Sequence, residues 1–255
     1  MICKCIIRDI FNEGNFSNLR NIIDQCEQWL RDEVEQAHAS GIVLGLSGGI
    51  DSSVLAALGV EALGRERVLG IIMPCHSIDE DEADARLLIE ALGVNFKRVD
   101  LSETFDLMLK TIGGEFNSLV KSNLKARLRM VTLYAVAQSK NFLVCGTSNR
   151  SEYETGYFTK FGDSGVDLMP LANFLKRDIR AMAKLLSVPE KIITKAPSAG
   201  LYEGQTDEGD MGFSYDTLDE YLTTGSINDE KARERIDVMR RRSEHKRKPI
   251  PIFKF

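Results

Sequence analysis

The stretch "LGLSGGIDSS", Leu44–Ser53, decides the fold. The apolar, glycine-bounded run "GIVLGL" (Gly41–Leu46) leads into it and reads as a buried strand. "DSSVLAALGVEAL" (Asp51–Leu63) follows and reads as a helix, with Asp51 and Ser52 at its start, where capping residues belong. Between the two lies a Ser-Gly-Gly turn. Such a junction aims backbone N–H groups and the positive end of a helix dipole at one point, and so binds phosphate. Glycine there allows backbone angles and a close approach that a Cβ forbids. No lysine precedes the hydroxyl residues, so this is not the G-x-x-x-x-G-K-[ST] loop, nor is it G-x-G-x-x-G. Asp51 beside a bound polyanion calls for a bridging cation. Mg²⁺, held by one or two carboxylates together with phosphate oxygens, meets that need. The plainer alternative is a tight turn with a capping aspartate.

Outward from this loop, elements alternate. "NLRNIIDQCEQWLRDEVEQ" carries one apolar stripe at helical spacing. "RVLGIIMP" and "VNFKRVDL" read as strands, with the acid-led helix "DEDEADARLLIEALG" between them. "SETFDLMLKTIG" and "NSLVKSNLKARLRMVTLYAVAQSK" read as helices, and "NFLVCG" as a fourth strand. "LMPL" (Leu168–Leu171) reads as a fifth. The pattern predicts an α/β fold, doubly wound and Rossmann-like, with a mostly parallel five-stranded sheet and helices on both faces. Right-handed crossovers follow. Two long polar stretches, 147–167 and 195–212, read as loops, and long loops in compact domains are usually functional. "KRDIRAMAKLLSV", "YDTLDEYLTTG" and "NDEKARERIDVMRRR" complete the helices. With no repeat and no linker composition, residues 1–255 read as a single domain.

Composition narrows the classes. No apolar run reaches the ~18 residues of a membrane span, and the N-terminus lacks the pattern of a signal peptide, so a cytoplasmic protein is expected. The net charge of −5 argues against a general nucleic-acid binder. One basic cluster, "RRRSEHKRK" (Arg240–Lys248), stands out against it. The five cysteines, Cys3, Cys5, Cys26, Cys75 and Cys145, are odd in number and scattered, which does not suit a disulfide framework. Cys3 and Cys5 form C-x-C, not C-x-x-C. Cys26 and Cys145 suit a core, and Cys75 sits either in the core or beside a site.

The string "SGGIDSS" resembles the pyrophosphate loop of the N-type ATP pyrophosphatases. Members of that family cleave ATP between the α- and β-phosphates and adenylate a substrate that a nucleophile then attacks. Within it, "GTSNRSEYETGYFTKFGDSGVDLMPL" (Gly146–Leu171), "KAPSAGLYEGQTDEGDMGFSYDTLD" (Lys195–Asp219), "NLKARLRM" (Asn123–Met130) and "EHKRKPIP" (Glu244–Pro251) resemble the ammonia-dependent NAD synthetases. These matches run in order from about residue 20 to 251. The resemblance implies amidation of deamido-NAD with ATP and ammonia, giving NAD, AMP and pyrophosphate, with Mg²⁺ as cofactor and a homodimer as the working form.

By motif matching, Gly45, Leu46, Ser47, Gly48, Gly49, Ile50, Asp51 and Ser52 would hold the ATP phosphates. Thr147, Ser198 and Lys176 would also contact ATP. Asp51 and Glu152 resemble the Mg²⁺ ligands, and with Lys176 make up the expected catalytic set. Arg127, Lys160, Asp167, His245 and Lys246 match deamido-NAD contacts. Bland rivals stand beside several: a solvated helix face for Arg127, a cap or an Arg150 pair for Glu152, a turn for Asp167, and a basic tail for His245 and Lys246. No Cys–His or Ser–His pairing calls for a covalent enzyme nucleophile. At 255 residues there is no room for a fused glutamine hydrolase, so free ammonia is the expected donor, with a separate amidase left open. Two other readings stand: another adenylating pyrophosphatase, such as a tRNA thiolation enzyme, and an ATP-binding module without turnover.

Overall fold

The computed structural model describes residues 16–198 and 206–255. In chain order these form α1 (Phe16–Gln36), β1 (Gly41–Gly45), α2 (Ile50–Leu63), β2 (Val68–Ile72), α3 (Asp79–Leu92), β3 (Asn95–Arg98), α4 (Ser102–Ile112), α5 (Ser118–Lys140) and β4 (Phe142–Val144). Six further helices follow: α6 (Arg150–Thr155), α7 (Lys176–Leu185), α8 (Glu190–Ile193), α9 (Asp207–Met211), α10 (Tyr215–Thr224) and α11 (Glu230–Arg247). Cys3 and Cys5 lie outside the described residues.

The strands form one parallel sheet in the order β3-β2-β1-β4. Alternate strand residues enter different cores, because successive side chains point to opposite faces. Ile42, Leu44, Val68 and Ile72 join a core shared with α1, α2, α3 and α7. Val43, Leu69, Ile71 and Val144 join a second core with α4 and α5. With both faces covered, both parities must be apolar, which explains the unbroken apolar runs. A third cluster, including Met211, Phe213, Tyr215, Leu218 and Ile236, binds α9, α10 and α11 together. Cys75 and Cys145 are core residues.

The chain winds from β1 outward to β2 and β3, then returns to the other side of β1 for β4. The winding direction therefore reverses between β1 and β4, and open α/β sheets bind ligands at the carboxyl ends of such neighbouring strands. The loop "SGGI" leaves β1 there, and the segment carrying Thr147, Asn149 and Glu152 leaves β4 beside it.

The expected fifth strand is reduced to a single parallel bridge, Cys145 to Leu168. The Val144 carbonyl accepts from the Asp167 and Leu168 N–H groups at 2.9 and 3.2 Å, and Gly146 N–H reaches the Leu168 carbonyl at 2.8 Å. Pro170 then offers no N–H, and the chain turns through Ala172–Met169 and Phe174–Leu171 backbone bonds. The ladder stops there, leaving four strands. The two polar stretches are also not plain loops: each contains a short helix, α6 and α9.

Sheet and loop lock together at Gly70. A Cβ there would lie 2.3 Å from Leu46 Cδ1, so Leu46, the first residue of the turn, packs directly on the β2 backbone. Gly70→Ala should lower the unfolding free energy by about 1–3 kcal/mol through overpacking. A urea midpoint equal to that of the unaltered protein would contradict this packing.

Candidate active site

The phosphate loop is held open by its own side chains. Leu46 N–H bonds the Ile71 carbonyl at 2.9 Å and continues the β1 pairing for one residue. Gly48 then turns with φ +76°, and a Cβ there would lie 2.2 Å from the Asp81 carbonyl oxygen. Only glycine lets the first turn of α3 seat so closely against the loop. The Ser47 and Ser52 hydroxyls meet at 3.1 Å. Ser52 Oγ donates to the Gly49 carbonyl at 3.0 Å, and Gly49 N–H donates to Ser47 Oγ at 3.2 Å. The α2 N-cap is Gly49, just before the residues expected from the sequence. The first intrahelical bond is Ser53 N–H to the Gly49 carbonyl, so the N–H groups of Ile50, Asp51 and Ser52 precede it. They are the groups a helix start offers to an anion.

Behind the loop lies a buried charge cluster. Lys176 is the first residue of α7, and its side chain is 2% exposed. Its Nζ sits 2.6 Å from Asp51 Oδ2 and 3.3 Å from Glu152 Oε1. Asn149 Nδ2 donates to Asp51 Oδ1 and to Glu152 Oε1, each at 2.8 Å. Asn149 also caps α6: its Oδ1 accepts from Glu152 N–H at 3.0 Å, and Glu152 Oε2 accepts from Asn149 N–H at 3.3 Å. This reciprocal capping box fixes Glu152 at the start of its helix. Tyr215, fully buried, lies under the Lys176 ammonium at 4.7 Å. Its hydroxyl donates to Asp207 Oδ2 at 2.9 Å and sits 3.3 Å from Glu152 Oε1.

Electrostatics match this crowding. Glu152 titrates above the usual carboxylate range, first because it is buried and next because Asp51 repels its negative charge. Burial alone would lower the Lys176 pKa, but Asp51 and Glu152 outweigh it and hold the lysine charged. Burial and, after it, the carboxylates Glu152 and Asp207 drive the Tyr215 pKa up, so its hydroxyl stays a donor. One ammonium thus serves Asp51 and Glu152, and Glu152 relieves the crowding of negative charge by holding a proton more readily than an ordinary carboxylate.

A cavity of about 1000 Å³ opens in front of this cluster. Of the expected ATP residues, Gly45, Leu46, Ser47, Thr147 and Ser198 lie on its wall. Asp51, Glu152 and Lys176 come together in the charge cluster behind that wall. Arg129, also on the wall, is anchored to the Met73 carbonyl at 3.2 Å and to Ser77 Oγ at 3.3 Å.

The residues expected at deamido-NAD are more dispersed. Lys246 lines the cavity, but its Nζ is held by the Gly156 and Phe158 carbonyls at 2.8 and 2.6 Å. Arg127 donates to the Lys160 carbonyl at 3.3 Å, and Lys160 Nζ donates to the His245 carbonyl at 2.8 Å, forming a chain at the surface. Asp167 accepts from Val144 N–H at 2.8 Å and from the Tyr134 hydroxyl at 3.0 Å, so both its oxygens have partners at the end of β4. Sequence reasoning missed Asn149, Asp207 and Tyr215. The Asn-x-x-Glu spacing in "NRSE" is a capping-box signal that exposes Asn149.

A sequence model of the family described as NAD synthase matches residues 22–250. The NH3-dependent NAD+ synthetase of Finegoldia magna is 49% identical over 238 residues, covering 93% of this chain and 98% of that protein. The protein of the same name from Thermococcus sibiricus is 42% identical, covering 91% of this chain and 95% of its own length. Among solved structures, an NMN synthetase from Francisella tularensis superposes with a TM-score of 0.89 at 39% identity, covering 93% of this chain and 99% of its own. An NH3-dependent NAD synthetase from Campylobacter jejuni gives 0.77 at 29% identity, covering 92% and 99%. With a family model spanning most of its length and a relative 49% identical over 93% of it, this chain belongs to the NAD synthase family.

Proposed function

We propose that this protein is an ammonia-dependent NAD synthetase. The observation that carries the reading is the juxtaposition of an anion-binding helix start with the Asp51–Lys176–Glu152 cluster. A carboxylate is a poor acyl donor, because oxide is a very poor leaving group. Attack of the nicotinate carboxylate on the ATP α-phosphate forms a new P–O bond and breaks the α–β bridge, releasing pyrophosphate. Ammonia then adds to the activated carbonyl, a proton is lost, and AMP departs with the C–O bond electrons. The protein's task is to position these groups and to balance their charge. Residues Gly45–Ser52 cradle the phosphates, and Lys176 offsets charge building up on the departing pyrophosphate. Thr147 and Ser198 hold ATP from the facing wall. Arg127, Lys160, Asp167, His245 and Lys246 form the deamido-NAD side.

The donor set fits Mg²⁺. Asp51 and Glu152 are hard oxygen donors brought close together on one ammonium, and among the described residues no third acidic, histidine or cysteine ligand joins them. Mg²⁺ is held in this way when substrate phosphates and water complete its shell. Asp51 and Glu152 would hold it, and when bound it would supply withdrawal of charge from the phosphates.

The rest of the reading concerns setting. The chain acts as a single 255-residue domain and a cytoplasmic homodimer, without nucleic acid or membrane partners. Support for the dimer comes from apolar side chains of α4 and α5 that stand in solvent: Leu107, Ile112, Leu119 and Val131. No described helix is long and apolar enough to cross a membrane. A second reading places amidation at the mononucleotide stage, with deamido-NMN as acceptor. The NMN synthetase fold match, with its higher TM-score, favours it.

Purified protein with ATP, Mg²⁺, ammonium and deamido-NAD should release NAD and pyrophosphate only when all components are present. A preference for deamido-NMN moves the acceptor to the mononucleotide. Pyrophosphate release only with another carboxylate or an RNA points to a different adenylating enzyme. No release at all leaves a binding module. Asp51→Asn should lower turnover by about 100-fold or more, and should also lower the melting temperature, because the buried Lys176 ammonium loses a charged partner. Unchanged turnover removes Asp51 from the metal site. Lys160→Ala should raise the KM for deamido-NAD about tenfold, the loss of one charge-assisted contact, and that for ATP far less. Equal rises would place Lys160 elsewhere.

A further inference from the structure

Helix α7 begins badly by local rules. Its N-cap is Leu175, which has no side-chain acceptor, yet its first residue is Lys176, on which the charge cluster turns. Asp178 Oδ2 takes the Leu175 N–H at 2.8 Å, but the next two amides need acceptors from elsewhere. They find them on other helices. Lys176 N–H donates to Ser151 Oγ at 3.2 Å, and Arg177 N–H donates to Asp219 Oδ2 at 2.9 Å. The Ser151 hydroxyl in turn donates to Asp219 Oδ1 at 2.6 Å. Ser151 is the residue immediately before Glu152 in α6. One carboxylate on α10, 1% exposed, therefore pins the starts of two of the three helices that carry the site's charged groups.

We propose that Asp219 is a positioning residue for the reaction: by holding the first turns of α6 and α7 together, it sets the separation of Glu152 and Lys176. The geometry supports a role beyond packing. Asp219 touches no cluster side chain, yet both its oxygens end on backbone or hydroxyl groups one residue from Glu152 or Lys176. Neighbouring bonds stiffen the same junction. Arg150 N–H bonds the Phe174 carbonyl at 2.8 Å, and Arg177 donates to Thr223 Oγ1 at 3.0 Å. Asn at this position keeps the shape but turns one acceptor into a donor. It can then keep Arg177 N–H through its oxygen and meet Ser151 Oγ only by donating to it, so the Ser151 proton loses its acceptor and the short charge-assisted bond is gone. Loss of the pin lets α7 shift against α6, and Lys176 loses register between Asp51 and Glu152.

The inference rests on the synthetase reading, and its test separates the two. Asp219→Asn and Ser151→Ala are assayed for pyrophosphate release beside the parent, below the melting temperature of each. The expected result is a kcat lower by about 10–100-fold, as for removal of groups that orient catalytic residues. KM for the acceptor should stay within about twofold, since a group acting only on the reacting centre leaves uniform binding alone. A kcat equal to the parent's in Asp219→Asn overturns the proposal, as does a loss of activity that only tracks a lower melting temperature. Amide hydrogen exchange at Lys176 and Arg177 gives a readout independent of turnover. Protection lost in Asp219→Asn supports the pin, and protection retained overturns it. A parent protein inactive with every acceptor sinks the functional reading instead, and the exchange measurement still decides the role of Asp219.

Discussion

The Lys176 ammonium, buried between Asp51 and Glu152, is the interaction on which the rest of the site depends. A buried charge is tolerated only when it is paired and hydrogen-bonded. Removing one partner of such a set costs about 3–5 kcal/mol, because the remaining charges are left desolvated and unbalanced. Three separate parts of the chain must therefore meet: the start of α2, the start of α6 and the start of α7. Each contributes its charged group from a first helical turn. The Asn149–Glu152 capping box fixes the start of α6, and burial holds the Lys176 side chain between the two carboxyls. Asn149 completes it by donating to both carboxylates, which keeps them close without neutralising them.

This arrangement links fold to chemistry. The parallel sheet places the β1 and β4 ends side by side, so the Ser-Gly-Gly turn and the helix that carries Glu152 start next to each other. The loop offers N–H groups to an anion, and the cluster behind it gathers Asp51 and Glu152 around one ammonium.

The loop and its strand–turn–helix setting were legible in the sequence because they rest on local rules: an apolar run, glycines and a polar helix start. Asp51 was legible from its place at the helix start, but Glu152 and Lys176 were legible only through motif resemblance, since about 100 residues separate Asp51 from Glu152 and no local periodicity joins them. The "LMPL" run has strand-like composition, but Pro170 and the turn after it end the ladder at one bridge. Helices α6 and α9 hid inside polar stretches because they are too short to show a periodic apolar face. Their caps, Asn149 and Thr206, were the visible signal. Asp207 and Tyr215 escaped notice because their role exists only once the third cluster folds against α6 and α7. The expected deamido-NAD residues did not converge as the ATP residues did: Lys160 and Lys246 end on backbone carbonyls, and Asp167 on a β4 amide.

The central claim is that this site transfers adenylate to a carboxylate, with bond breaking between the α- and β-phosphates. Heavy-oxygen labelling tests it directly. Deamido-NAD labelled in its nicotinate carboxylate is turned over with ATP, Mg²⁺ and ammonium, and the products are weighed by mass spectrometry. The account predicts one labelled oxygen in AMP and none in pyrophosphate, because that carboxylate oxygen leaves with AMP when ammonia adds. Label in orthophosphate together with ADP would mean attack at the γ-phosphate, and unlabelled AMP would mean simple hydrolysis. Either result would contradict the account.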